Sequence, residues 1–113
     1  MIQEQLQAVL APLVGGRSYP NLAAQDAAAP YIVYQRVVSV TNNNLLSASD
    51  LQNTRVQIDA YAKTYANVQQ IAASVRLAMQ GAAFTNVQLS EQDFYEIDVR
   101  LHRVSLDYSI WST

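Results

Sequence analysis

The sequence predicts an α+β domain: one mostly antiparallel sheet of about four strands with two helices packed on one face. Three observations carry that expectation. Apolar residues recur at helical spacing in two places, at Ile2, Leu6, Val9, Leu10 and Leu13 and at Val68, Ile71, Ala72, Val75, Ala78 and Met79. Residues Thr54 to Tyr61 alternate strictly, with Val56, Ile58 and Ala60 on one side and Arg55, Gln57, Asp59 and Tyr61 on the other. Two further stretches, Tyr31 to Val40 and Phe94 to Trp111, are dense in β-branched and aromatic residues.

The first helix is expected over residues 2–11, closed by Pro12 and then Gly15-Gly16. Ser18-Tyr19-Pro20-Asn21 is a turn signal, and an Ala-rich connector follows. Pro30 marks a strand entry, and the strand Tyr31 to Val40 carries apolar groups on both faces. Thr41 to Asn53 is a different material. Its Asn and Ser clusters favour turns, yet Leu45, Leu46 and Leu51 sit among them. An open loop of that length is usually functional.

Thr64 is the expected N-cap of the second helix and Gly81 its stop. Phe84 to Leu89 reads as a short strand, and Ser90 to Asp93 as an acidic turn. Phe94 to Trp111 reads as a long strand or a hairpin, and its alternation changes phase near His102-Arg103, which predicts a bulge or bend there. Charges propose a register for the alternating strand against the last one. Gln57 opposite Ser105 sets Arg55 against Asp107 and Asp59 against Arg103.

The chain has 113 residues, which is one domain and enough to bury a core without staples. It has no Cys, which removes disulfides, thiol catalysis and thiolate metal sites. A net charge of −2 argues against a dedicated nucleic-acid binder, and 50% apolar residues argue against disorder. The N-terminus lacks a basic region before an apolar run, so no signal peptide is expected. No stretch approaches the ~18 apolar residues of a membrane span. These readings place the protein in the cytoplasm after synthesis. Charged residues are only 14% of the chain, well below the ~25% usual for a soluble domain. Part of so uncharged a surface is expected to lie against partners.

Chemistry is sparse. His102 is the only histidine, and a zinc or iron site would have to add carboxylates to it. It reads as a solvated or hydrogen-bonded strand residue. Glu91, Asp93, Glu96 and Asp98 form an acidic run without the Asp-x-Asp-x-Asp-Gly pattern of a calcium loop. Gly15-Gly16-Arg17 lacks the Lys-Ser/Thr of a phosphate loop, and no serine lies in a Gly-x-Ser-x-Gly context. No catalytic residue, metal ligand or cofactor is therefore expected.

Tyrosine stands out, with seven in the chain. A tyrosine buries a large ring and keeps a polar tip, which suits interfaces. Tyr31, Tyr34, Tyr61, Tyr65 and Trp111 are the candidate interface residues, with Tyr108 also on a strand. Stacking of single-stranded nucleic acid would need a basic groove, which six Arg and one Lys among nine acids do not make.

Four segments carry a family resemblance: Gly15-Gly16-Arg17-x-Tyr19-Pro20, Pro30 to Arg36, Arg55 to Tyr65, and Arg103 to Trp111. In that order they resemble the tail completion protein family of long-tailed bacteriophages. The resemblance implies an α+β domain with a long mobile loop between its first two strands. It implies structural work without catalysis: a ring, typically hexameric, at the head-proximal end of the tail. Such a ring ends tube polymerisation and joins the tail to the head connector. The expected partners are other copies of the chain, the tail tube protein and the head connector protein. DNA would pass through without specific binding, and no membrane or small-molecule substrate is implied. The expected location is the host bacterial cytoplasm during assembly, then the virion. The family's loop falls here on Thr41 to Asn53, so Asn43, Asn44, Leu45, Leu46 and Leu51 are the candidate interaction-loop residues. Two other readings stand beside this one. One is a small oligomeric α+β ligand-binding or enzymatic domain with His102, Asp98 or Glu96 at the base of a pocket. The other is a different phage head–tail adaptor.

Overall fold

The computed structural model describes residues 2–21, 29–43 and 48–112. The chain order is helix α1 (Ile2–Leu10), strands β1 (Ser18–Pro20), β2 (Tyr31–Asn43) and β3 (Ala48–Ala62), helix α2 (Tyr65–Gln80), then β4 (Thr85–Glu96) and β5 (Leu101–Ser112). The strands form one five-stranded sheet in the order β1-β2-β3-β5-β4. All neighbours are antiparallel except β1 with β2. The α+β architecture is as expected, with one strand more.

Both helices lie on one face because each has a single apolar stripe to bury. Leu6 and Leu10 of α1 and Val68, Ile71, Ala72, Val75 and Met79 of α2 are buried in one cluster with Ile32, Val56, Ile58, Val104, Leu106 and Ile110 from the strands. Alternate residues of β3 from Val56 to Ala62 and of β5 from Val104 to Ile110 point into that core, as pleating requires. Each fully buried aliphatic side chain contributes about 1.5–3 kcal/mol.

Local chemistry sets the helix ends. The α1 helix stops at Leu10, and Pro12 then sits in a single turn of 3-10 helix, Ala11–Val14. Gly15 and Gly16 follow with φ of 59° and 87°, a left-handed conformation that glycine adopts without strain. Thr64 caps α2, its hydroxyl accepting from the Asn67 amide at 3.1 Å. Gly81 ends α2, its amide donating to the Leu77 carbonyl at 3.2 Å.

The fifth strand is the expected turn at Ser18-Tyr19-Pro20. It pairs in parallel with Ile32 to Tyr34. The Ile32 amide donates to Arg17 and the Asn21 amide to Tyr34, at 2.9 and 2.8 Å. Tertiary pairing overrides the local turn preference, and Pro20 is tolerated because β1 is an edge.

The expected loop Thr41 to Asn53 is mostly hairpin. Val40 faces Asn53, Thr41 faces Gln52 and Asn43 faces Ala48. Only Asn44, Leu45, Leu46 and Ser47 lie outside the described residues. β5 ends against Gln52, so the β2–β3 hairpin continues past it without a third described strand. The described residues extend over 52 × 25 × 23 Å.

The C-terminal half differs from expectation in three ways. Ser90 to Asp93 is strand, not turn, because β4 runs from Thr85 to Glu96 with an irregularity between Gln88 and Ser90. The change of phase near His102 comes from a hairpin turn at residues 97–100, where Arg100 has φ of 55°. A turn resets the alternation, so no bulge at His102 is needed. Finally, β3 and β5 do pair, but two residues away from the proposed register. Gln57 faces Asp107, Arg55 faces Ser109 and Asp59 faces Ser105. A shift of two keeps every side chain on its face. Arg55 therefore still reaches Asp107, diagonally, at 3.3 Å.

Candidate functional site

The helices leave the opposite sheet face open. Strand register places four residues in one transverse row on it: Tyr31 faces Tyr61, Tyr61 faces Arg103, and Arg103 faces Phe94. The rings of Tyr31 and Tyr61 stack with centroids 4.8 Å apart and planes 20° apart. Tyr19 of β1 meets Tyr31 edge-on at 6.3 Å. At the other end the Arg103 guanidinium lies 4.4 Å from the centre of the Phe94 ring. The row therefore runs across all five strands.

Asp59 lies beside this row and is only 5% exposed, although it is on the open face. It receives hydrogen bonds from the Gln57 amide nitrogen at 3.2 and 3.1 Å. Burial pushes its carboxyl up from the usual aspartate value, against the Ser105 hydrogen bond, the Arg103 charge and Gln57, which favour the anion. Burial also raises Tyr61 and Tyr31. For Arg103 burial opposes the charge, but the Tyr61 hydrogen bond and the Asp59, Tyr61 and Glu96 interactions outweigh it, leaving it more strongly basic. Glu96 completes the group at 3.3 Å from Arg103. Charges on this face are paired with one another, so the face is nearly neutral.

The expected interface residues divide between the faces. Tyr31 and Tyr61 are brought together on the open one. Tyr34 is on the helix side and is 4% exposed, its hydroxyl donating to Gln7 at 2.9 Å, which makes it a core residue. Tyr108 is likewise buried in the core. Tyr65 is exposed at the start of α2 and contacts the His102 ring at 5.9 Å. Trp111 is half-buried near the end of β5, between Asn53 and Thr85. In the expected loop, Asn43 ends β2 and Leu51 lies within β3, while Asn44, Leu45 and Leu46 are outside the described residues. Phe94, Tyr19 and the buried Asp59 were not anticipated as parts of one surface. The Asp59–Arg103 charge pairing was the signal that pointed toward it.

His102 is on the helix side. It lines a cavity of about 220 Å³ with Tyr65, Gln69, Asp93 and Tyr95. Neither Asp98 nor Glu96, the carboxylates expected at such a pocket's base, is among its lining residues. A larger open cleft of about 520 Å³ runs along the end of α2 and the start of β4. Its one cation, Arg76, is paired with Glu91 at 2.6 Å. Among the described residues no three His, Asp or Glu side chains group as metal ligands. No helix among them is long and apolar enough to cross a membrane.

The fold is thus that of a small α+β protein whose most developed surface is a nearly neutral sheet face crossed by an aromatic row. Comparison with known proteins names the class further. A family model described as tail completion protein gp17 matches residues 4–113. The chain belongs to that family, whose members are structural proteins of bacteriophage tails. Among solved structures it is similar to a chain from the virion of a native gene transfer agent particle, with a TM-score of 0.67 and 19% identity. That match covers 97% of this chain and 90% of the other, and it establishes a shared fold. No curated protein matches the chain.

Proposed function

We propose that this protein is a tail completion subunit that forms a ring at the head-proximal end of a phage tail. There it ends polymerisation of the tube and presents the surface that joins the tail to the head connector. The observation that carries this reading is the family match across residues 4–113, nearly the whole chain. The physical features agree with it. A ring subunit makes heterologous contacts that close on themselves, which calls for weakly charged, partly apolar surface. The Tyr31–Tyr61–Phe94 row adds weakly charged, partly apolar surface on the open face for the tube or connector. The segment between β2 and β3, whose sequence carries Leu45, Leu46 and Leu51, is the second contact element, toward tube or connector. A mildly acidic ring with few Lys or Arg lets DNA pass without pairing to phosphates. Assembly takes place in the host cytoplasm, and the finished subunit resides in the virion. The protein acts by contact, without catalysis.

Electron microscopy of particles made without this chain tests the reading. Separate heads and tails, with tubes of uncontrolled length, are the expected result. Normal joined particles would contradict it.

A further inference from the structure

Among the described residues the sheet ends in two free edges, and they match each other. On one side β1 pairs only with Ile32 to Tyr34, so among the described residues the outer edge of β2 is unpaired from Gln35 onward. On the other side β4 pairs, among the described residues, with β5 alone, leaving its outer edge open over Thr85–Glu96. Long exposed edges are usually blunted by Lys, Pro or short length, because they invite another strand. β4 has no Lys and no Pro, and it exposes Val87 and Leu89 at 51% and 49%.

Strand polarity identifies what fits. β2, β3, β5 and β4 are successively antiparallel, so β4 runs opposite to β2. A second copy set beside the first in the same orientation therefore brings its β2 antiparallel to β4. Pairings through the sheet put Arg36 level with Gln88, by way of Val56 and Tyr108. Gln88, Glu91 and Asp93 share the helix-side face with Arg36, since they lie opposite Tyr108, Leu106 and Val104. Charge agrees. Residues 77–99 contain four acids, Glu91, Asp93, Glu96 and Asp98, and no base. Residues 29–49 contain one base, Arg36, and no acid. Two β4 edges would repel each other, whereas β4 and β2 attract.

We infer that the free edge of β4 takes the free β2 edge of the next copy, continuing the sheet from subunit to subunit. This inference rests on the ring reading and specifies its contact. The interface is heterologous, and each copy uses two different edges.

The chain has no cysteine, so disulfide trapping is free of background. Arg36→Cys is combined in turn with Gln88→Cys, Glu91→Cys and Asp93→Cys, each as the only copy in assembled particles. At least one pair should give a ladder of linked multimers on a non-reducing gel, and each single variant should stay unlinked. Dimers from Asp93→Cys alone would mean a two-fold β4–β4 contact and would overturn the inference. So would particles holding several copies per tail in which none of the three pairs links. One copy per tail would instead overturn the ring reading, and this contact with it. A charge test stands apart from cysteine chemistry. Gln88→Lys, level with Arg36, should lower the number of incorporated copies by roughly tenfold, and adding Arg36→Glu should restore it. Unchanged incorporation of Gln88→Lys would count against the contact.

Discussion

Tyr31 and Tyr61 stack at 4.8 Å where β2 lies against β3, on the face that the helices leave open. The pair belongs to the row that Arg103 and Phe94 complete. A double-mutant cycle with Tyr31→Ala and Tyr61→Ala should give a coupling of about 0.5–1.5 kcal/mol in urea unfolding. Strict additivity would show that the rings do not interact.

Asp59 makes stability depend on pH. Its carboxyl titrates above the ordinary value of 3.8, mainly because it is buried. The folded state therefore holds its proton more tightly than the unfolded state. The resulting stabilisation is complete below the unfolded value and is lost as pH rises through the folded one. Asp59→Asn should accordingly flatten the decline in unfolding free energy above pH 4, with its largest gain near neutral pH. A steeper decline in the variant would reverse the assignment.

Thr64 holds the start of α2 by one hydrogen bond to the Asn67 amide. Thr64→Ala should cost about 1 kcal/mol, measured by chemical unfolding. By contrast, Asp107→Asn removes a partly exposed ion pair with Arg55. It should cost under about 1 kcal/mol, and less in high salt. A cost from Asp107→Asn larger than that from Thr64→Ala would show the pair to be structural.

The β2–β3 hairpin reaches beyond the end of β5, so it can be shortened without touching the core. Replacing residues 43–51 by a two-residue Asn-Gly turn should leave the melting temperature within a few degrees of the parent. In infection the same variant should block the joining of tails to heads. Normal infectious particles would remove the hairpin tip from the joining surface.

How much of this was legible in the sequence follows from the physics of each element. Both helices and their ends could be read, because a stripe such as Val68, Ile71, Val75 and Met79 has a distinctive period and Thr64 and Gly81 are local signals. β1 could not, since three residues of turn-like composition become strand only through pairing with β2. The β3–β5 register was off by two because Arg55 and Asp107 satisfy each other diagonally as well as directly. The Thr41 to Asn53 segment looked open because Asn and Ser are poor strand formers, yet a partner strand supplies their backbone hydrogen bonds. Of the candidate surface, single tyrosines were visible. The row was not, because it depends on the register of four strands at once.

The proposed role places a ring of this chain where the tail meets the head. A cryo-electron microscopy reconstruction of the complete tail tests it most directly. One closed ring of copies is expected at the head-proximal end, between the last tube ring and the connector. Density for this chain elsewhere along the tail, or none in the finished particle, would contradict it.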